Sequence, residues 1–158
     1  MPATANQPAM PDHHPEVNGV SSSSLHGFSL DRLGWLCDAF RRQSGIECRL
    51  EIRAEHAYLD PAAAEVLYRT IRELFGLYKR AQTRRIVVAS ESREDGSVAF
   101  HVSFDLEGAA PRSSPLECDA VALWDIDQRL REVGAYLELR AAGVCTSAVF
   151  PERLFIVR

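Results

Sequence analysis

The chain has 158 residues, of which 46% are apolar and 25% are charged, so it can form one domain with a substantial core. Its formal net charge is −4, which argues against a general nucleic-acid binder and against a protein held to membranes by a basic surface. The sequence contains no run of about 18 apolar residues and no secretory leader. We therefore expect a cytoplasmic protein without membrane insertion.

The start of the chain differs in composition from the rest. Residues 1–27 contain four of the eight prolines, a serine run and few large apolar side chains, which predicts a disordered tail. We assign residues 28–158 to one folded domain. Its four cysteines are widely spaced, without a CxxC pair or a histidine at metal-ligand spacing, and this predicts reduced thiols rather than a metal site.

Two helices and a strand are predicted in the first half of the domain. Apolar residues at helical spacing begin at Leu30, and Gly45 is a typical left-handed C-cap for this first helix. Alternating apolar and charged residues predict a strand over 48–53. Asp60 is a good N-cap before a proline, and the apolar spacing that follows predicts a long helix over about 61–81.

The next two strands form a predicted hairpin. Strands over 85–91 and 98–104 flank Asp95 and Gly96, a strong hairpin-turn pair. Residues 105–119 have the composition of a loop, and a loop of this length in a compact domain is often functional.

The last third is predicted to contain a helix and two or three strands. The helix covers about 120–133 and ends at Gly134, a strand follows over 135–140, and residues 146–157 hold one or two more. This order of elements predicts an α/β (α+β) two-layer sandwich, in which a mixed sheet of about five strands carries about three helices on one face.

Four stretches of the chain resemble the catalytic ATP-binding domain of sensor histidine kinases, the HATPase or Bergerat-type domain. The resemblance covers about residues 30–158 and is carried by residues 40–47, 65–74, 79–88 and 128–139. The second stretch, EVLYRTIREL, is close to the family's LYRIVREL, and the third, KRAQTRRIVV, is similar to KHAxASxVxV. The resemblance implies a nucleotide site beside the long helix.

The family's magnesium ligand is not present at its expected place. In the family, an Asn one turn after the Glu of the long helix binds Mg²⁺ on the ATP phosphates, and magnesium requires oxygen ligands. Glu73 is retained here, but the Asn position falls on Gly76 or Leu77 because the segment is apparently one residue shorter. Neither side chain can bind a metal.

The two glycine-rich boxes of the family are also altered. Asp105 and Gly108 stand where the family has its adenine-binding Asp and a glycine, but the spacing is lost and Glu107 adds negative charge. The stretch that should open the third helix under the phosphates, from Asp119 to Trp124, contains no glycine. The resemblance therefore implies a vestigial nucleotide site at Glu73, Gly76, Asp105 and Gly108, with no cofactor and no bound metal.

Two functions remain open from the sequence. The first is a non-catalytic, regulatory protein-binding module in bacterial two-component signalling, whose partner is a histidine kinase, a response regulator or a second copy of the chain. The alternative is a catalytic domain that binds Mg-ATP and phosphorylates a histidine on another chain, with Glu73 as its catalytic residue.

Two histidines and three aromatic residues are candidates for a functional role. We predict that His56 lies in a surface loop, and that His101 lies on the solvent face of its strand or at a helix edge and has a structural role. Trp35 and Trp124 are predicted to belong to the core. In the alternative interpretation, these tryptophans and Phe28 form a patch that contacts another protein.

Overall fold

The computed structural model describes residues 30–80, 83–106, 119–140 and 145–156. The predicted tail over 1–27, Phe28, Glu107, Gly108 and Cys118 lie outside the described residues. The described part contains α1 (Leu30–Ser44), β1 (Glu47–Glu51), α2 (Pro61–Arg80), β2 (Thr83–Ser92), β3 (Val98–Leu106), α3 (Ala120–Glu132), β4 (Tyr136–Arg140) and β5 (Cys145–Phe150).

The five strands form one mixed sheet in the order β1-β2-β3-β5-β4. The β1–β2 pair is parallel and the other three pairs are antiparallel. The helices pack on one face of this sheet, with α2 between α1 and α3. The predicted two-layer α/β architecture is confirmed. None of the helices in the described ranges is long and apolar enough to cross a membrane.

Helix α2 is the central element of the helical layer. The Asp60 side chain caps its first turn, because its Oδ2 accepts hydrogen bonds from the N–H groups of Ala62 at 3.0 Å and Ala63 at 3.2 Å. The apolar side chains on one stripe of the helix are buried against the sheet, as predicted from their spacing: Ala63, Leu67, Ile71, Leu74 and Tyr78. The Tyr78 hydroxyl donates to the Val102 carbonyl at 3.1 Å, which fixes the end of α2 over β3.

The predicted turns occur where glycine was expected. Gly45 ends α1 with a φ of 72°, and Gly96 lies in the β2–β3 hairpin with a φ of 80°. Both values lie in the left-handed region, which L side chains adopt only at a cost. The Asp95 side chain also accepts a hydrogen bond from the Ser97 N–H at 2.9 Å, which stabilises the hairpin turn.

The end of the chain differs from the prediction of a further strand over 154–157. Residues Glu152–Leu154 form a short 3₁₀ helix, and Phe155 makes a single antiparallel bridge with Leu59. The backbone N–H of Asp60 donates to the Leu154 carbonyl at 2.7 Å, so this segment pairs with the entry to α2 rather than with the sheet. Pro151, which ends β5, turns the chain in this direction.

The prediction of a surface position for His56 is wrong. The residue lies in a 3₁₀ helix over Ala54–Ala57 and is only 3% exposed. Its Nδ1 lies 2.8 Å from the Ser90 Oγ and its Nε2 lies 2.7 Å from the Ser92 Oγ. Since both hydroxyls belong to β2, the imidazole links the loop before α2 to the sheet.

The buried imidazole makes the stability of the fold depend on pH. Burial lowers the pKa of His56; Glu55 opposes this with a smaller effect, and Arg53 adds a small lowering of its own. The unfolded chain therefore binds a proton at a pH where the folded chain does not, and stability falls as the pH drops below the unfolded value of about 6.5. We expect urea unfolding of a His56→Gln variant to lose this part of the pH dependence between pH 7.5 and 5.5. Identical pH profiles for the variant and the wild type would contradict this role.

Candidate functional site

A cleft of about 370 Å³ separates α2 from α3. Four side chains and one glycine line it, and it is largely apolar: its lining residues are Glu73, Gly76, Leu77, Ala122 and Ile126. Two of the four residues predicted for a nucleotide site, Glu73 and Gly76, are therefore brought together here. Glu73 is the only ionisable residue among the five.

The Glu73 carboxylate is held by an arginine from the neighbouring helix α3. Arg129 of α3 donates two hydrogen bonds to it, one from each terminal nitrogen to a different carboxylate oxygen, and the Nη1–Oε1 distance is 2.5 Å. Both side chains are about one-third exposed, at 32% for Arg129 and 37% for Glu73. This two-point geometry is the strong form of an arginine–carboxylate pair and joins α2 to α3 beside the cleft.

The ion pair determines the chemistry that Glu73 can perform. The Arg129 hydrogen bonds lower the pKa of Glu73, with a smaller opposing effect of burial, and Glu73 in turn raises the pKa of Arg129. A general base works best when its pKa is close to the operating pH. Glu73 is consequently a weaker proton acceptor than a free glutamate, and both of its oxygens are occupied by a cation.

The two residues at the expected position of the magnesium-binding Asn differ in exposure. Gly76 is exposed, and a Cβ added there would meet no atom within 4 Å. Leu77 is buried in the core. The donor set required for Mg²⁺ is therefore not supplied by these residues, because one has no side chain, one is a hydrocarbon and the nearby carboxylate is paired with Arg129. The described cleft residues do not fit a magnesium–triphosphate group.

Asp105 does not belong to this cleft. The alternate residues of β3, including Phe104, face the helices, and Phe104 packs on Tyr78 with ring centroids 4.4 Å apart. Asp105 therefore lies on the outer face of the sheet, where it is exposed and 3.8 Å from Arg85. The structure does not place it with Glu73 and Gly76.

The outer face of the sheet also holds His101. Its Nδ1 lies 2.7 Å from the Ser147 Oγ and its Nε2 lies 3.0 Å from a Glu91 carboxylate oxygen. The three residues belong to β3, β5 and β2, so the imidazole connects neighbouring strands, which agrees with the predicted structural role. Ser147 is fully buried and is not accessible as a nucleophile.

Both tryptophans contradict their predicted place in the core. Trp35 is 75% exposed and Trp124 is 62% exposed. On α1 the buried stripe is formed by Leu33, Cys37 and Phe40, which leaves position 35 on another side of the helix. On α3, Val121 is also 76% exposed, one turn before Trp124, and the apolar spacing of the sequence gives no sign of this.

Similarity to known proteins is found among solved structures and concerns the architecture. No family model matches the chain, and no curated protein matches it. Among solved structures, it is similar to the blue-light activated histidine kinase of Erythrobacter litoralis EL346, with a TM-score of 0.58 and 16% identity over 77% of this chain and 44% of that protein. It therefore spans less than half of that kinase.

Two further histidine kinases show the same likeness. The mycobacterial sensor histidine kinase MprB matches with a TM-score of 0.56 and 14% identity over 77% of this chain and 94% of that structure. The kinase AdeS of Acinetobacter baumannii matches with a TM-score of 0.55 and 11% identity over 77% and 63% of the two chains. The chain has the fold of a histidine kinase catalytic domain. At identities this low, the structural similarity establishes the fold alone. The activity has to be argued from the site.

Replacing Gly76 tests whether the wall of the cleft is as open as described. Glycine inside a helix destabilises it by roughly 0.5–1 kcal/mol relative to alanine, and a new Cβ at position 76 meets no atom. We expect Gly76→Ala to raise the free energy of unfolding by about that amount in urea titrations. Gly34→Ala in α1, which is equally unobstructed, is the matched control and should behave alike. A destabilised Gly76→Ala variant beside a stabilised Gly34→Ala variant would show that the cleft wall is occupied.

A double-mutant cycle measures the Glu73–Arg129 pair. With Glu73→Gln and Arg129→Gln, we expect a coupling free energy of about 0.5–1 kcal/mol at pH 7, at the upper end for partly exposed pairs because the contact is bidentate. Since the folded-state pKa of Glu73 is lowered, the coupling is complete above the unfolded value of about 4.3 and disappears as the pH falls through the folded value.

The single-contact pair Asp38–Arg41 on α1, at 3.2 Å, is the control and should give a smaller coupling of about 0.3 kcal/mol. Equal couplings for the two pairs would contradict a special role for Arg129.

Proposed function

We propose that this chain is a non-catalytic domain of histidine kinase catalytic fold that acts as a regulatory protein-binding module in bacterial two-component signalling. The observation that carries the proposal is the pairing of Glu73 with Arg129. It occupies the carboxylate at the position where a kinase of this fold would use it.

The charges around the cleft support the absence of productive Mg-ATP binding. ATP brings about four negative charges, and a site for it needs cations and a magnesium ion to offset them. Arg129, the cation that hydrogen-bonds to Glu73, already neutralises this carboxylate, and the charges of Arg72 and Arg69 act on the same group with smaller effects. Releasing Arg129 to a phosphate would leave a bare carboxylate beside the polyphosphate, and Gly76 and Leu77 offer no side-chain oxygen to recruit the metal.

Two exposed apolar sites, on helices that lie on either side of α2, support binding to a protein. Trp35 lies on α1, while Trp124 and Val121 lie one turn apart on α3. Exposed tryptophans are rare on surfaces that contact only water and are enriched among the residues that dominate protein–protein interfaces. Given the fold, the partner we propose is a histidine kinase, a response regulator or a second copy of this chain.

A nucleotide titration tests the non-catalytic half of the proposal. A ligand at 100 times its Kd stabilises a folded protein by about 2.7 kcal/mol, which is a large thermal shift for a domain of this size. We expect no shift in Tm with millimolar Mg-ATP, for the wild type or for Glu73→Ala. A Mg²⁺-dependent shift in the wild type that Glu73→Ala removes would favour the alternative, a catalytic domain that phosphorylates a histidine on another chain.

Restoring an oxygen ligand sharpens that experiment. Position 76 can accept a side chain without a clash, so Gly76→Asn places an amide oxygen at the open wall of the cleft. Combined with Arg129→Gln, which frees Glu73, this variant should bind Mg-ATP more tightly than the wild type if these two features block the site. If neither the double variant nor the wild type binds Mg-ATP, features other than Gly76 and Arg129 prevent nucleotide binding.

The tryptophans themselves report on the protein-binding half. The chain contains two tryptophans, both exposed, so its emission spectrum should be that of water-exposed indole. We expect the emission to shift to shorter wavelength on mixing with a histidine kinase core, a response regulator, or concentrated chain itself. Trp35→Ser and Trp124→Ser should retain the wild-type Tm, because neither residue is in the core, and should weaken the complex. A complex that loses affinity in one variant alone assigns the interface to that helix, and complexes of unchanged affinity in both variants would contradict both sites as the interface.

A further inference from the structure

Strand β4 forms one edge of the sheet, and among the described residues it pairs with β5 alone. The Leu137 N–H donates to the Asp127 Oδ1 at 2.9 Å, so the backbone groups of Leu137 face away from β5. Backbone groups alternate in direction along an antiparallel strand, and the N–H and C=O of Leu139 therefore also point to the free edge. A sheet edge with free backbone groups is a template for pairing with another strand.

Exposed apolar side chains lie beside this free edge. Leu139 is 53% exposed, and Trp124 and Val121 on α3 are exposed as well. The hydrogen bond between Leu137 and Asp127 fixes β4 against α3, and the chain turns back between the two elements. Trp124 lies one helical turn before Asp127. Leu139 lies two residues after Leu137, in the same direction from that hydrogen bond and on the same face of the strand as Leu137. The edge therefore carries an apolar strip of three side chains: Val121, Trp124 and Leu139.

We propose that two copies of this chain associate through their β4 strands, which pair antiparallel about a two-fold axis at Leu139 and join the two sheets. The Leu139 N–H of each copy donates to the Leu139 C=O of the other. Both helical layers then lie on the same side of the joined sheet, and the two apolar strips face each other. The proposal rests on the proposed function in its choice of a protein partner, and it names that partner and the surface that binds it.

The charges on β4 fit a second copy of the same strand. With Leu139 opposite itself, Glu138 of one copy lies opposite Arg140 of the other, and the two-fold axis repeats this pair. The Arg140 side chain is 52% exposed and lies 3.5 Å from Glu138 of its own chain. The Glu138 carboxylate also accepts a hydrogen bond from the Arg93 Nη1 at 2.9 Å, which holds it on the outer face of the sheet. A carboxylate can accept about four hydrogen bonds, so it can receive the second copy's guanidinium as well.

Shifted registers need a backbone group that is already bonded. Pairing Leu137 with Leu137 or with Leu139 of a second copy requires the Leu137 N–H, which donates to Asp127. Pairing Leu137 with Leu139 also sets Glu138 opposite itself, and like charges directly opposite each other are unfavourable. Asp127 therefore limits strand pairing to the end of β4 at which Leu139 lies.

Sedimentation equilibrium of the full-length chain over a range of concentrations tests the proposal. We expect a monomer–dimer equilibrium for the wild type. Leu139→Pro removes the pairing N–H, and proline is tolerated on an edge strand where the N–H faces outward, so this variant should keep a cooperative thermal transition and be monomeric.

A charge reversal gives a second variant that does not alter the backbone. Arg140→Glu converts both Glu–Arg pairs of the dimer into Glu–Glu pairs, and we expect it to raise the Kd of the dimer about tenfold. Arg49→Glu makes the same charge change on β1 at the opposite edge of the sheet, at a side chain that is 57% exposed, and should retain the wild-type Kd.

Amide hydrogen exchange reports on the register. Exchange at the Leu139 amide should slow with rising protein concentration, by about tenfold once about nine-tenths of the chain is dimeric. The Leu137 amide, which is bonded to Asp127 within the chain, should exchange at a rate that does not depend on concentration.

Four outcomes would overturn the inference: a chain that is monomeric at every concentration, a dimer with an unchanged Kd in both Leu139→Pro and Arg140→Glu, a Leu139 amide that is not protected in the dimer, and a dimer that Trp35→Ser weakens while Trp124→Ser does not. A monomer that binds a histidine kinase core would overturn this inference and leave the proposed function standing. A Mg-ATP-dependent rise in Tm would contradict the proposed function, and the dimer would still be decided by the Kd values of the β4 variants.

Discussion

The burial of α2 is the constraint on which the site depends. Its apolar stripe is fixed between the sheet, α1 and α3, and the Asp60 cap and the Tyr78 hydroxyl hold its two ends. The helix can therefore present only one narrow surface to the cleft. This orientation of α2 leaves Gly76 exposed to solvent and buries Leu77 in the core. The chemistry that α2 offers to the cleft is therefore decided by the residues at positions 73 and 76.

The Glu73–Arg129 pair joins α2 and α3 beside the cleft. A carboxylate at the mouth of a nucleotide cleft is useful to an enzyme when its oxygens can turn to water or to a metal. Here α3 supplies a guanidinium that occupies both oxygens and connects the two helices. Glu73 is thus part of the contact that holds α2 and α3 together. The cleft that remains is mostly hydrocarbon, which is a poor environment for phosphate.

Local signals were sufficient to predict most of the fold and little of the site. Asp60, Gly45 and the hairpin turn are recognised from a few adjacent residues, and the structure confirms each of them. The burial of His56 has no local signal, because its two serine partners lie 34 and 36 residues away and no periodicity connects them to it. The Arg129 contact spans 56 residues and has no local signal either.

The tryptophans were misplaced for a different reason. Tryptophan is usually buried, and this average outweighed the helical spacing that assigns the core of α1 to other positions. Asp105 was chosen for its identity, whereas the alternation of β3 turns it away from the helices. In both cases the geometry of the element was a better guide than the residue type.

The proposed function depends on the cleft between α2 and α3 not holding magnesium and triphosphate. The most direct measurement is a crystal structure of the chain grown with Mg²⁺ and a non-hydrolysable ATP analogue in large excess. We expect an intact Glu73–Arg129 pair and no ordered phosphates between α2 and α3. An ordered triphosphate with a cation bound to Glu73, and Arg129 moved away to a phosphate, would contradict it.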